Sequence, residues 1–323
     1  MKVQNWLKKN TFHHSQFMDV GKLVELKKEQ KVKISLALPT LNEEHTIVSE
    51  ILVFRSELME TYPLIDELAI IDSGSTDRTC EFAARYGADV YKTRDCLEEE
   101  GTHTGKGENL WKSLYLLKGD IIIWIDADIK NVHPKFAYGL VGPLLTERSI
   151  GYVKAFYERP LAMGDKMHPT SGGRGTELLV RPLINMFFPD LAGFIQPLSG
   201  EYAGRREILE KVPFFIGYGV ETCLLIDIYE KFGLEAMAQV DLDRRVHRNQ
   251  RIQALSKMSF NILQAFFRRV EALNIFTLNE EISRTMRLFK RLGTEYHFDI
   301  HGYEAVERPP MITIPAYRRK RKL

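Results

Sequence analysis

Apolar residues in the first half of the chain fall by turns into short continuous runs and into stretches with helical spacing. This is the pattern of successive βα units around a mainly parallel sheet. Ile34 to Leu38 predicts a first strand that stops at Pro39, and Glu43 to Met59 carries apolar side chains at helical spacing behind the capping-type residue Asn42. A second strand is expected over Leu68 to Ile71, ending in the polar turn Asp72 to Asp77 (DSGSTD), where Thr76 or Asp77 can cap a helix running to Tyr86. Ala88 to Lys92 reads as a third strand. The glycine-bearing loop Gly101 to Gly107 leads into a predicted helix over Glu108 to Leu117, and Asp120 to Ile125 (DIIIWI) has the apolar continuity of a strand buried on both faces.

Beyond Gly151 the pattern is mixed: a strand over Tyr152 to Tyr157, a Gly-rich loop over Ser171 to Gly175, and a helix containing Glu177 to Phe187. Residues 251 to 292 carry helical periodicity, with Phe260, Leu263, Phe266 and Phe267 as a stripe suited to core or subunit contact. Tyr296 to Tyr303 is a candidate lid. The chain therefore divides into an N-terminal extension (1–33), two halves of one α/β domain (34–150 and 151–250) and a helical C-terminal region with a basic tail (251–323).

Ligands of open α/β sheets bind beyond the carboxyl ends of the strands, so the polar segments after Leu38, Ile71 and Ile125 should converge on one crevice. Asp126 and Asp128 stand two apart at a strand end, and period-two alternation points both carboxylates to one side. Such a pair suits a hard divalent cation that keeps open positions for phosphate oxygens, although an isolated pair also fits two solvated turn acids. Lys106 lies between Gly105 and Gly107, where the backbone can approach a ligand closely and the ammonium supplies a point charge; a solvated loop lysine is the alternative. Gly173, Arg174 and Thr176 sit where a Gly-rich loop opens a helix, so N–H groups, a guanidinium and a hydroxyl can hold a phosphate together. Glu221 enters an apolar helix, where a carboxylate gains from the helix dipole.

Charge narrows the partners. Lys plus Arg outnumber Asp plus Glu only 45 to 43, so no overall field drives the chain onto nucleic acid or an anionic membrane, and anion recognition must be local. Three cysteines without close pairs, Cys80, Cys96 and Cys223, fit a reducing compartment better than a disulfide framework. The opening residues hold no secretory apolar run and no stretch approaches the ~20 apolar residues of a membrane span, so a soluble cytoplasmic protein is expected. Arg318 to Lys322 (RRKRK) reads as a frayed, solvated terminus.

Taken together, Pro39 to Glu44 (PTLNEE), Asp72 to Asp77 and Asp126-Ala127-Asp128 at three strand ends resemble the GT-A glycosyltransferases, with a Rossmann-like, mainly parallel sheet flanked by helices. The arginine-lysine pyrophosphate loop of a nucleotidyltransferase is missing after the first strand. Further motifs come in order: Gly172 to Leu178 (GGRGTEL), Arg181-Pro182-Leu183, Gln196 to Glu201 (QPLSGE), Tyr218 to Glu221 (YGVE) and Val246 to Asn249 (VHRN). With these the chain resembles the glucosyl-3-phosphoglycerate synthase family over roughly residues 34 to 255.

That resemblance implies a retaining transfer of glucose from UDP-glucose to 3-phosphoglycerate, and a neighbouring branch uses GDP-mannose. It places Pro39, Leu41, Glu43, Ser73, Lys106, Asp126 and Ala127 at the donor, and Gly173, Arg174, Thr176 and Asn249 at the acceptor. Mg²⁺ or Mn²⁺ would lie on Asp128 and His247, imidazole nitrogen favouring Mn²⁺ somewhat. Glu221, Asp126 and Arg174 would carry the chemistry, by front-face substitution or, as the minor route, by a covalent intermediate on Glu221. An inverting transferase on another acceptor is the alternative activity, and a homodimer is the expected assembly.

Overall fold

An eight-stranded sheet organises the chain. The computed structural model describes residues 2–159, 161–163, 166–168, 173–246 and 252–322. In chain order the strands are β1 (Thr11–His13), β2 (Ile34–Thr40), β3 (Glu67–Asp72), β4 (Asp89–Lys92), β5 (Ile121–Trp124), β6 (Tyr152–Glu158), β7 (Tyr202–Arg205) and β8 (Met237–Arg244). Across the sheet they run β1-β8-β6-β7-β5-β2-β3-β4. Neighbours are parallel except around β7, which is antiparallel to both β5 and β6.

The sheet is buried on both faces, which is why β5 reads as an unbroken apolar run. Ile121 and Ile123 pack with Leu36 and Leu38 on one face, whereas Ile122 and Trp124 pack with Ala37 and Trp111 on the other. Each such side chain removed from water stabilises the fold by about 1.5–3 kcal/mol. Trp124 also satisfies its buried indole N–H on Ser113 Oγ at 2.9 Å.

The predicted strands appear within one or two residues of their expected bounds, while the helix starts move. The helix after β2 spans Ile47–Arg55 and is preceded by Thr46, not Asn42. Asn42 instead adopts a left-handed backbone, at φ 58°, that its short amide side chain tolerates. Its N–H donates to Ser75 Oγ and its Oδ1 accepts from the Thr76 N–H, each at 2.9 Å, so it clamps the loop after β2 to the loop after β3. Asp77 accepts from the Thr79 N–H at 3.0 Å and opens the helix Thr79–Arg85. The helix after the glycine loop spans Lys106–Leu116, which places Lys106 in its first turn.

Residues before Ile34 are built into the sheet: β1 pairs with β8, and Trp6, 1% exposed, donates to the Met237 carbonyl at 2.9 Å. At the other end, helical periodicity stops earlier than expected. Ile252–Ala272 is a helix that buries Ile262, Ala265, Phe266 and Val270, but Thr285–Leu292 (β9) and Glu295–Gly302 (β10) form an antiparallel hairpin. Its cross-strand pair Phe289 and Phe298 stacks with ring centroids 5.0 Å apart. Tyr296 to Tyr303 lies largely in the second strand of this hairpin. Nor is the basic tail frayed: Pro315–Arg321 is a helix anchored by buried Tyr317, whose hydroxyl donates to Glu210 Oε2 at 2.5 Å. No helix among the described residues is long and apolar enough to cross a membrane.

Candidate active site

The strand order brings distant segments to one edge. Because β7 runs against β5, with Trp124 opposite Tyr202, the chain entering β7 lies beside the chain leaving β5. Gly200 thus abuts Asp126: a Cβ at this glycine would fall 1.8 Å from Asp126 Oδ2. Gly200→Ala is expected to leave the fold intact but displace that carboxylate, lowering kcat on the order of a hundredfold. Unaltered kinetics in a folded variant would refute this placement.

A cleft of about 370 Å³ opens over this edge. Pro39 and Glu43 border it from beyond β2, Asp126, Ala127 and Asp128 from beyond β5, and Gly173, Arg174 and Thr176 line it as well. Lys106 and Glu221 close its floor. Leu41 and Ser73 do not line it. Leu41 is 48% exposed, and the Ser73 hydroxyl donates to Asn109 Oδ1 at 2.8 Å. His247 and Asn249 lie outside the described residues, as do Ser171 and Gly172. The segment that leads to residue 247 is nonetheless tied beside Asp128, since the Val246 carbonyl accepts from the Lys130 N–H at 3.0 Å and the Val246 N–H donates to Asn131 Oδ1 at 2.7 Å.

Two buried cations organise the carboxylates. Lys106 Nζ stands 2.5 Å from Asp126 Oδ1 and 3.0 Å from Glu221 Oε1, and donates to the Gly200 carbonyl at 3.3 Å. Burial opposes its charge, but Asp126 and Glu221 outweigh that and raise the ammonium pKa. Burial likewise pushes Asp126 up, yet Lys106 and Arg245 hold it down at about 2. Gly105 and Gly107 allow a close approach to the neighbouring backbone: a Cβ on Gly107 would lie 1.7 Å from the Phe215 carbonyl oxygen.

Arg245, which no spacing rule singled out, is the second cation. Its Nη2 lies 2.7 Å from Asp128 Oδ1 and 3.1 Å from Asp126 Oδ2, while its Nε lies 2.9 Å from Glu201 Oε1. Tyr157 donates its hydroxyl to the other Glu201 oxygen. Burial raises the Asp128 carboxyl, Arg245 lowers it, and neighbouring Asp126 raises it again. Two carboxylates that converge on one guanidinium nitrogen form a donor set that also suits a divalent cation. Beneath them, buried Glu50 accepts the Ile129 N–H at 3.0 Å, and burial raises its carboxyl pKa well above the usual range.

Such a site can bind a diphosphate through a cation and the Lys106 ammonium while Arg174 holds a second anion across the cleft. Comparison with known proteins agrees. The profile of Glycosyl transferase family 2 matches residues 35–218. The glucosyl-3-phosphoglycerate synthase of Petrotoga mobilis is 56% identical over 312 residues, covering 97% of this chain and 96% of that protein. Mannosyl-3-phosphoglycerate synthase from Rubrobacter xylanophilus superposes with a TM-score of 0.89 at 34% identity, covering 96% of this chain and 99% of that one. Glucosyl-3-phosphoglycerate synthase from Mycobacterium tuberculosis, in complex with Mn²⁺, UDP-glucose and phosphoglyceric acid, superposes at a TM-score of 0.80 with 41% identity, covering 94% of this chain and 97% of that one. Another structure of the mycobacterial enzyme contains Mg²⁺ and UDP. With its sheet order, its cleft and these relatives in agreement, the chain belongs to glycosyl transferase family 2 and, within it, to the glucosyl-3-phosphoglycerate synthases.

Proposed function

We propose that this protein transfers glucose from UDP-glucose to 3-phosphoglycerate, with retention at the anomeric carbon and with Mg²⁺ or Mn²⁺ as cofactor. The observation that carries this reading is the gathering of Asp126, Asp128 and Lys106 with Gly173, Arg174 and Thr176 around one cleft. Asp128, with His247, would hold the metal, which when bound neutralises the departing diphosphate. Arg174 and the Thr176 hydroxyl orient the acceptor's phosphate, joined by Asn249. Asp126, kept ionised by Lys106, receives hydroxyl groups of the sugar and fixes the ring.

Glu221 faces the point where the acceptor hydroxyl approaches. Its Oε1 is engaged by the Lys106 ammonium at 3.0 Å, and a carboxylate so paired is a weak nucleophile. This favours front-face substitution, in which the hydroxyl attacks from the side the diphosphate leaves and passes its proton to that diphosphate. Pure protein supplied with 3-phosphoglycerate and either UDP-glucose or GDP-mannose should turn over the former at least about tenfold faster and yield the α-anomer by NMR. A β-linked product would establish an inverting transferase, and a preference for GDP-mannose would assign the mannosyl branch.

The working unit in this reading is a homodimer. A lone two-stranded hairpin is marginal in water, and β9–β10 exposes Phe289 (77%), Tyr296 (69%) and Ile300 (60%). A second copy covering this face would bury them. Light scattering should give twice the 37.4 kDa chain mass, falling to the monomer on Phe289→Glu with Phe298→Glu. A monomeric wild-type chain would end the proposal.

A further inference from the structure

A second cluster of metal-ligating side chains lies outside the cleft, where β1 meets the end of β8. His13 and His14 both turn their Nε2 atoms onto the Asp243 carboxylate, at 2.9 Å from Oδ1 and 2.6 Å from Oδ2. One ligand atom from each of the three lies within 4.8 Å of the others. We propose that His13, His14 and Asp243 form a second divalent-cation site, specific for a borderline transition ion such as Zn²⁺ or Co²⁺ and distinct from the hard-cation position at Asp128.

Three features beyond proximity support it. First, each imidazole has an oxygen partner for its other nitrogen: His13 Nδ1 lies 2.7 Å from Ser15 Oγ, and His14 Nδ1 lies 3.3 Å from Tyr138 OH. With the proton on Nδ1 the His14 ring presents a free Nε2 lone pair, the arrangement that orients metal-bound histidines, whereas His13 reaches it by releasing the Ser15 N–H that its Nδ1 accepts at 3.3 Å. Second, two imidazole nitrogens and one carboxylate oxygen select Zn²⁺ or Co²⁺ over Mg²⁺ or Ca²⁺. Third, the backbone is set for this purpose, since Asp243 takes a left-handed conformation (φ 61°) where the β6–β8 register shifts, its N–H held by Asp241 Oδ1 at 2.9 Å. Lys135 Nζ already contacts Asp243 Oδ2 at 2.6 Å, which leaves Oδ1 as the ligand atom.

An ion here staples the N-terminal segment to β8, whose continuation delivers Arg245 to Asp126 and Asp128. It thereby braces the catalytic wall from behind without touching substrate. The full-length protein, stripped of metal and held in excess Mg²⁺, should bind about one equivalent of Zn²⁺ by calorimetry and melt at a higher temperature with it. Asp128→Ala should keep both effects. His14→Ala and, separately, His13→Gln should weaken Zn²⁺ binding by more than about tenfold. Melting in EDTA identifies which variants are folded, and His13, 44% exposed at its side chain, gives the milder replacement. Zn²⁺ binding that survives in both histidine variants, or that vanishes in Asp128→Ala, would overturn the assignment. Transferase activity with Mg²⁺ is a separate readout and should persist in both histidine variants.

Discussion

Asp128→Ala is expected to lower kcat/KM by on the order of 10³-fold, about 4 kcal/mol of transition-state stabilisation, because it removes a cation ligand at the diphosphate. The chain should remain folded. Arg245 keeps Asp126 at 3.1 Å and Glu201 at 2.9 Å after the change, so no buried charge is left alone. The measurement is steady-state kinetics beside a Mn²⁺ titration of the UDP-bound protein. Loss of metal affinity together with activity, at a melting temperature near that of the wild type, is the expected result. Full activity in Asp128→Ala, or wild-type activity in the presence of a chelator, would remove Asp128 from the metal site.

Lys106→Met should be the most damaging single change to stability near the site. It leaves Asp126 and Glu221 facing each other across a buried floor with their common cation gone, a defect that typically costs about 3–5 kcal/mol. The pH dependence distinguishes this from a simple packing loss. In the wild type, the Asp126 carboxyl is depressed from 3.8 to about 2, so its stabilisation is complete above pH ~4 and is lost as acid carries the pH down through ~2. Lys106 has its pKa raised above 10.5, so its contribution is present throughout the neutral range and fades only in strong alkali. In Lys106→Met the Asp126 carboxyl loses the larger of its two cationic partners and its pKa rises, Arg245 remaining at 3.1 Å. The variant should therefore be less stable at neutral pH and lose less of its stability than the wild type as pH falls from 7 toward ~3, so that its deficit narrows in acid. Chemical denaturation at three pH values would test this, and a pH-independent deficit would contradict it.

Much of this site is legible because β2, β3 and β5 are short buried strands that end in polar segments. Asp126, Asp128, Lys106, Arg174 and Glu221 stand where such strand and helix ends place them, around one cleft. The residues that escape have definite causes. Arg245 is set by tertiary pairing with Asp128 and Asp126, 117 and 119 residues away, and an arginine in a basic stretch carries no periodic signal for that. Asn42 reads as a cap because helix N-caps and left-handed turn positions favour the same side chain. Thr285–Leu292 reads as helical because a largely exposed hairpin has no buried face to enforce alternation. Leu41 and Ser73 are expected at the donor from the same strand ends; Leu41 is exposed there, and the Ser73 hydroxyl donates to Asn109 Oδ1.

The reversed strand β7 has a further consequence. A parallel strand would have sent its leading loop to the far rim; running backwards, it delivers the segment that precedes it, residues 196–201, onto the donor acids themselves. Choice of acceptor and grip on the donor are thereby mechanically linked through a few residues, so a lineage altering one would retune the other. The residues at 173–176 share that constraint, because a Cβ on Gly175 would lie 3.5 Å from Leu198 Cδ1, within the same segment.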